Sequence, residues 1–107
     1  RRLTKGAEFI AVARKGRAWG SPRLVLRARR NDGVATRFGL AVSKAVGGAV
    51  VRNRVKRRLR EILRKEQVAE GWDVVISARS GAATAAFAEL ESETRSLLRR
   101  AGLSLQS

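Results

Sequence analysis

The sequence predicts an α+β sandwich, a layer of helices laid on one small sheet. Three observations carry that expectation. Residues 23–30 and 36–43 alternate apolar and polar side chains, the period of a half-buried strand. Residues 50–67 and 84–101 repeat apolar residues at helical spacing. Between them Val74-Val75-Ile76 is a short continuous apolar run, as in a strand covered on both faces. With 107 residues and no linker, repeat or low-complexity tract, residues 1–107 are expected to form one domain.

The elements follow in order. Thr4 is a candidate N-cap for a helix over residues 5–15, although Ala7 stands where a capping box needs Glu. Leu3, Phe9, Val12 and Ala13 share one face of it, and Gly16 can stop it. Ala18-Trp19 suits a short extended piece before the turn residues Gly20-Ser21-Pro22. In the strand that follows, Leu24, Leu26 and Ala28 point one way and Val25, Arg27 and Arg29 the other. Asn31-Asp32-Gly33 is a turn signal, and Phe38, Leu40 and Val42 line the next strand. These two strands are expected to pair antiparallel. Val46-Gly47-Gly48 leads into the long helix, and Gly71 closes its connection to the strand 72–78. Arg79-Ser80-Gly81 reads as a loop. Phe87, Leu90, Leu97, Leu98 and Ala101 stripe the last helix, with Gly102 as its stop.

Composition excludes much chemistry. There is no Cys, so no disulfide, thiolate nucleophile or cysteine zinc site, and no His, the commonest general base and metal ligand. Asp32 and Asp73 are isolated and read as turn and strand-edge residues, so no carboxylate pair for metal catalysis emerges. Trp19 and Trp72 read as core or core-edge residues. No apolar run is long enough to cross a bilayer. Arg1-Arg2 could open a secretory signal, but Ala7–Ala13 is broken by Glu8 and followed by Arg14. A cytoplasmic protein without membrane attachment is the expectation.

The charge is lopsided. The formal net charge is +15, built from +17 in residues 1–65 and −2 in residues 66–107. Solubility in a small domain needs a net charge of only roughly 2–8. A polyanion that neutralises this excess is therefore the natural partner, and nucleic acid is the commonest one. The excess peaks in residues 52–65, RNRVKRRLREILRK, where eight of fourteen are Lys or Arg and one is acidic. At about 100° per residue, Val51, Val55, Leu59, Ile62 and Leu63 fall within roughly 120°. Arg54, Lys56, Arg57, Arg58, Arg60, Arg64 and Lys65 sweep about 200° of the remainder. A solvated helix face usually mixes Glu with Lys; this one does not. Arginine adds a planar fork that bonds phosphate bidentately and stacks on bases. Asn53 and the open N–H groups of the first turn suit a phosphate as well. Lys44, beside Ser43 at a strand end, is simplest as another phosphate contact. A groove between the first helix and the sheet would make a basic-rimmed channel for a single strand. Charge alone does not separate DNA from RNA, nor a ribosomal or nucleoid protein from a processing factor.

Residues 39–64, GLAVSKAVGGAVVRNRVKRRLREILR, resemble the signature of the bacterial ribonuclease P protein subunit. The matching pieces are Ser43-Lys44, the Val46-Gly47-Gly48-Ala49-Val50 entry, and Arg52-Asn53-Arg54-Val55-Lys56-Arg57 through Arg60-Glu61. Arg2-Leu3 with Glu8-Phe9, and Val74-Val75-Ile76 with Arg79, resemble the family's first helix and its last strand with the loop after it. The resemblance implies an α-β-β-β-α-β-α two-layer sandwich on a small mixed sheet. It also implies a left-handed β-α-β crossover, as in the second domain of ribosomal protein S5. It implies a protein, one per RNA, that binds the catalytic RNA of ribonuclease P and helps it remove the 5′ leader of precursor tRNA. The RNA would do the chemistry with Mg2+ that it mainly binds itself, leaving no catalytic or metal-ligating residue on the protein. By position, Lys44, Arg52, Asn53, Arg54, Lys56, Arg57, Arg60 and Arg64 would contact the RNA subunit. Phe9, Val12, Ala13, Arg27 and Arg79 would take the leader. Ala13 stands where many relatives carry an aromatic, and Gly48 where Asn is common.

Overall fold

A computed structural model describes residues 12, 16–33 and 35–105. Within them the chain forms β1 (Arg17–Gly20), β2 (Leu24–Arg30), β3 (Arg37–Val42), helix α1 (Ala49–Arg64) and β4 (Trp72–Ala78). A 3-10 turn at Ser80–Ala83 and helix α2 (Phe87–Arg100) follow. The expected α+β sandwich is there, with one four-stranded mixed sheet ordered β1-β2-β4-β3. The helix expected over residues 5–15 lies, apart from Val12, outside the described residues.

The strand order corrects one expectation: β2 and β3 do not pair. The last strand in chain order, β4, lies between them, antiparallel to β2 and parallel to β3. The alternation in β2 and β3 defines which face is buried, and it says nothing about which strand lies alongside. The apolar run of β4 supplies the reason, because a strand apolar on both faces gains most from the middle of a sheet. Asn31 ties down its start by donating twice: its backbone N–H to the Gly71 carbonyl at 3.0 Å, and its side-chain amide to Asp73 at 2.9 Å.

Asp73 itself is neither isolated nor at an edge. Register places it opposite Arg37, whose Nε and Nη2 donate to its carboxylate at 2.9 and 2.7 Å. Burial of this aspartate on a central strand is sustained by that fork.

The main core lies between the sheet and the two helices. Leu24, Leu26, Val74 and Ile76 meet Val55, Leu59 and Ile62 of α1, and Leu90, Leu97 and Leu98 of α2. The apolar stripe read from α1 is the buried one, with Val51 partly covered at its start. Two glycines shape the helix boundaries. At Gly47 φ is +156°, and a Cβ would stand 3.0 Å from Val51 Cβ. Gly102 turns with φ +75°, letting the Leu103 N–H reach the Leu98 carbonyl at 2.9 Å and end α2 as expected. Helix α2 begins three residues later than Thr84, at Phe87, where the Glu89 carboxylate accepts the Ala86 N–H at 2.8 Å.

Candidate nucleic-acid interface

Helix α1 is held by its apolar side, so its cations are turned outward by default. Asn53, Arg57, Arg60 and Arg64 recur at helical spacing and are all exposed, forming one outward stripe. Arg52 and Lys56 flank it, half-buried. Lys44 is exposed in the turn that precedes the helix. The N-cap, Gly48, has no side-chain acceptor, and the first turn has no acid. Its N–H groups are therefore open to an anion at the same end where Val50 stands 80% exposed.

Two arginines of the sweep have work inside the fold. Arg54 Nη2 donates to the Ala83 carbonyl at 3.0 Å, and Arg58 Nη1 to the Ala85 carbonyl at 3.1 Å. They tie α1 to the 3-10 turn and to the segment that starts α2. Arg54, expected to contact RNA, is thus partly committed; the one-residue-at-a-time reading had no signal for it. The Nε groups of Arg52 and Arg54 are buried without an acceptor among the described residues.

The acids do not answer this charge. Among the described residues no carboxylate lies within ion-pair distance of any cation of α1. The ion pairs belong to Arg23, Arg37 and Arg95 instead. Arg95 Nε meets Glu66, whose side chain is 2% accessible, at 3.1 Å. That hydrogen bond to Glu66 raises the Arg95 pKa above its ordinary value. Arg23 meets Glu93 at 2.6 Å and Glu89 at 3.0 Å, and the bond to Glu93 raises its pKa likewise. Burial pushes the Glu93 carboxyl up. Hydrogen bonds from the Ser21 hydroxyl, the Arg23 side chain and the Arg23 N–H outweigh this and hold it below the usual range.

Of the residues expected to take a leader, Arg27 and Arg79 sit toward the opposite face of the sheet. Arg27 is in register with Ala18 and Val75, on the side away from α1 and α2. Arg79 is exposed just after β4, and a Cβ on Gly20 would lie 3.0 Å from its Nη2. Gly20 is opposite Val25, which shares the Arg27 face, so Arg79 reaches toward that face. Val12 is fully buried against Val75 and Ala41 and has no surface to offer a ligand. Its role is packing, because a valine between two strands gains more from burial than from an exposed contact. Phe9 and Ala13 lie outside the described residues. The described residues hold no group of three acids that could bind a metal ion. None of their helices is long and apolar enough to cross a membrane.

Comparison with known proteins agrees with this layout. The family model for Ribonuclease P matches residues 1–102. The ribonuclease P protein component of Gluconacetobacter diazotrophicus is 47% identical over 106 residues, covering 95% of this chain and 91% of its own. That of Roseiflexus castenholzii is 45% identical over 105 residues, covering 95% and 86%. The ribonuclease P protein of Staphylococcus aureus superposes with a TM-score of 0.88 at 27% identity, over 96% of each chain. That of Thermotoga maritima gives 0.85 at 26%, over 94% and 96%. A basic helix left uncompensated by its own fold, on a sandwich shared with these proteins, leads to one conclusion: the chain belongs to the ribonuclease P protein family, the protein components of an RNA-containing endoribonuclease of tRNA processing.

Proposed function

We propose that this chain binds the catalytic RNA of ribonuclease P through the outward face of α1, and the 5′ leader of precursor tRNA across the opposite face of the sheet. One observation carries the reading: a helix dense in arginine on which no described carboxylate is spent. Arg52, Asn53, Lys56, Arg57, Arg60 and Arg64, with Lys44 at its entry, are the groups left to grip phosphates. Arg54 contributes with its uncommitted nitrogens. Arg27 and Arg79 bind leader phosphates on the other face.

In this reading the RNA performs the cleavage with Mg2+, and the protein lowers the electrostatic cost of bringing two polyanions together. Each phosphate neutralised releases condensed counterions, so binding is steeply salt-dependent. The described residues gather no carboxylate set suited to Mg2+, and no step is assigned to an ion on the protein. Sheet and helix hold the two basic faces back to back, so one protein can contact the RNA subunit and the substrate together. One protein per RNA follows from that division of surfaces.

The test is a processing assay. Adding the chain to the cognate catalytic RNA should lower the Mg2+ concentration needed to remove a precursor tRNA leader. No effect on the Mg2+ requirement would overturn the reading. Cleavage by the chain without RNA would replace it with a protein nuclease.

A further inference from the structure

The chain has two tryptophans, and an arginine is stacked on each. The Arg17 guanidinium carbon lies 5.3 Å from the Trp19 ring centroid, and that of Arg30 lies 5.2 Å from the Trp72 ring. All four residues project from one face of the sheet. Arg17 and Trp19 stand opposite Ala28 and Leu26, and Trp72 stands directly opposite Arg30. Ala28 and Arg30 are neighbours on the same side of β2, so the two pairs lie on adjacent strands at one end of the sheet. The connection 65–71 runs from α1 into β4, which brings the end of α1 to that same end. Arg17 and Arg30 are exposed and the tryptophans half-buried. Among the described residues no carboxylate forms an ion pair with either arginine.

We infer that this end of the sheet is a second RNA-contact surface, in which Arg17 and Arg30, each held over a tryptophan, grip an unpaired RNA segment. The inference rests on the proposed RNA-binding role. A guanidinium stacked on an indole is fixed in orientation but keeps its in-plane N–H donors for a phosphate. Its outer plane remains open to a base, and unpaired RNA is what presents both a phosphate and an unstacked base. A merely structural pair would need neither arginine exposed nor both free of carboxylates. The patch is also distinct from the Arg27 face, since Arg27 and Arg29 point to the other side of β2.

Both tryptophans lie in the patch, so their emission reports on it alone. The full chain is titrated in parallel with the catalytic RNA and with precursor tRNA, across a salt series, as wild type and as R17Q/R30Q. Thermal unfolding of the double variant checks that it is folded. The expected result is a tryptophan emission change on binding in one arm, which names the RNA that docks. In that arm R17Q/R30Q should bind about tenfold more weakly, with the salt slope reduced by roughly two. Unchanged affinity and slope for a folded double variant in both arms would overturn the inference and leave the α1 reading intact. Failure of the wild type to bind either RNA would overturn both.

Discussion

Helix α1 and the segment from Glu66 to Arg100 use the same residue type to opposite ends. In the second region arginine is a fastener. Arg95 closes on Glu66 and Glu91, and Arg23 of the β1–β2 turn closes on Glu89 and Glu93. Among the described residues no arginine of α1 is paired with an acid, and two of them, Arg54 and Arg58, bond neutral carbonyls. A carboxylate partner consumes a cation's field as well as its hydrogen bonds, whereas a carbonyl leaves the charge in place. Among the described residues the carboxylates thus leave the cations of α1 unpaired, and that charge is available to an outside polyanion.

The largest effect should come from emptying the stripe. Arg57→Ala, Arg60→Ala and Arg64→Ala together should weaken binding of the RNA subunit by roughly a hundredfold or more and flatten its salt slope by about three. Filter binding across a salt series measures both. Thermal stability should hardly move, since these side chains have no partner among the described residues. An unchanged slope would dissolve the contrast between the two regions.

Asp73→Ala should do the reverse. It leaves the Arg37 guanidinium without its carboxylate partner on the central strand β4 and should cost about 2–3 kcal/mol of stability in chemical denaturation, below the full value for a buried pair because Arg37 is 30% accessible. Under conditions where the variant is folded, it should keep the wild-type salt slope for RNA.

A smaller loss is expected from Glu93→Gln, read through pH. The folded carboxyl titrates below its unfolded value, so its contribution is present above the unfolded pKa and fades as pH falls through the folded one. Wild-type stability should therefore drop on acidification below about pH 4.5. The variant should start lower at neutral pH and lose less over that window. A parallel acid limb in both proteins would remove Glu93 from the network.

The smallest effects separate two adjacent glycines. Gly47→Ala should destabilise by roughly 1 kcal/mol, because its Cβ meets Val51 in a backbone region suited to glycine. Gly48→Asn should be neutral or gain a few tenths of a kcal/mol, as nothing lies within 4 Å of a Cβ there and Asn caps the open first turn. Equal losses at both positions would mean the helix entry is set by something other than these contacts.

Much of this was legible in the residues alone. Alternation and helical spacing placed β2, β3 and α1, because burial of one face is written locally, every second or every third to fourth residue, and the unbroken apolar run placed β4. The uncompensated cations of residues 52–65 were legible for the same reason, since the apolar stripe of α1 settles which side turns outward. Chain order alone also divided +17 from −2.

Only the tertiary structure decided which strands are neighbours and which charges meet. β4 enters between β2 and β3 because a strand apolar on both faces belongs in the middle, and that choice brings Asp73 to Arg37 from 36 residues away. Arg54 and Arg58 turn to the carbonyls of Ala83 and Ala85, and Trp72 gains Arg30, through contacts across strands or between elements. Periodicity carries no record of such contacts, because pairing energy depends on distances that exist only once the chain has closed on itself.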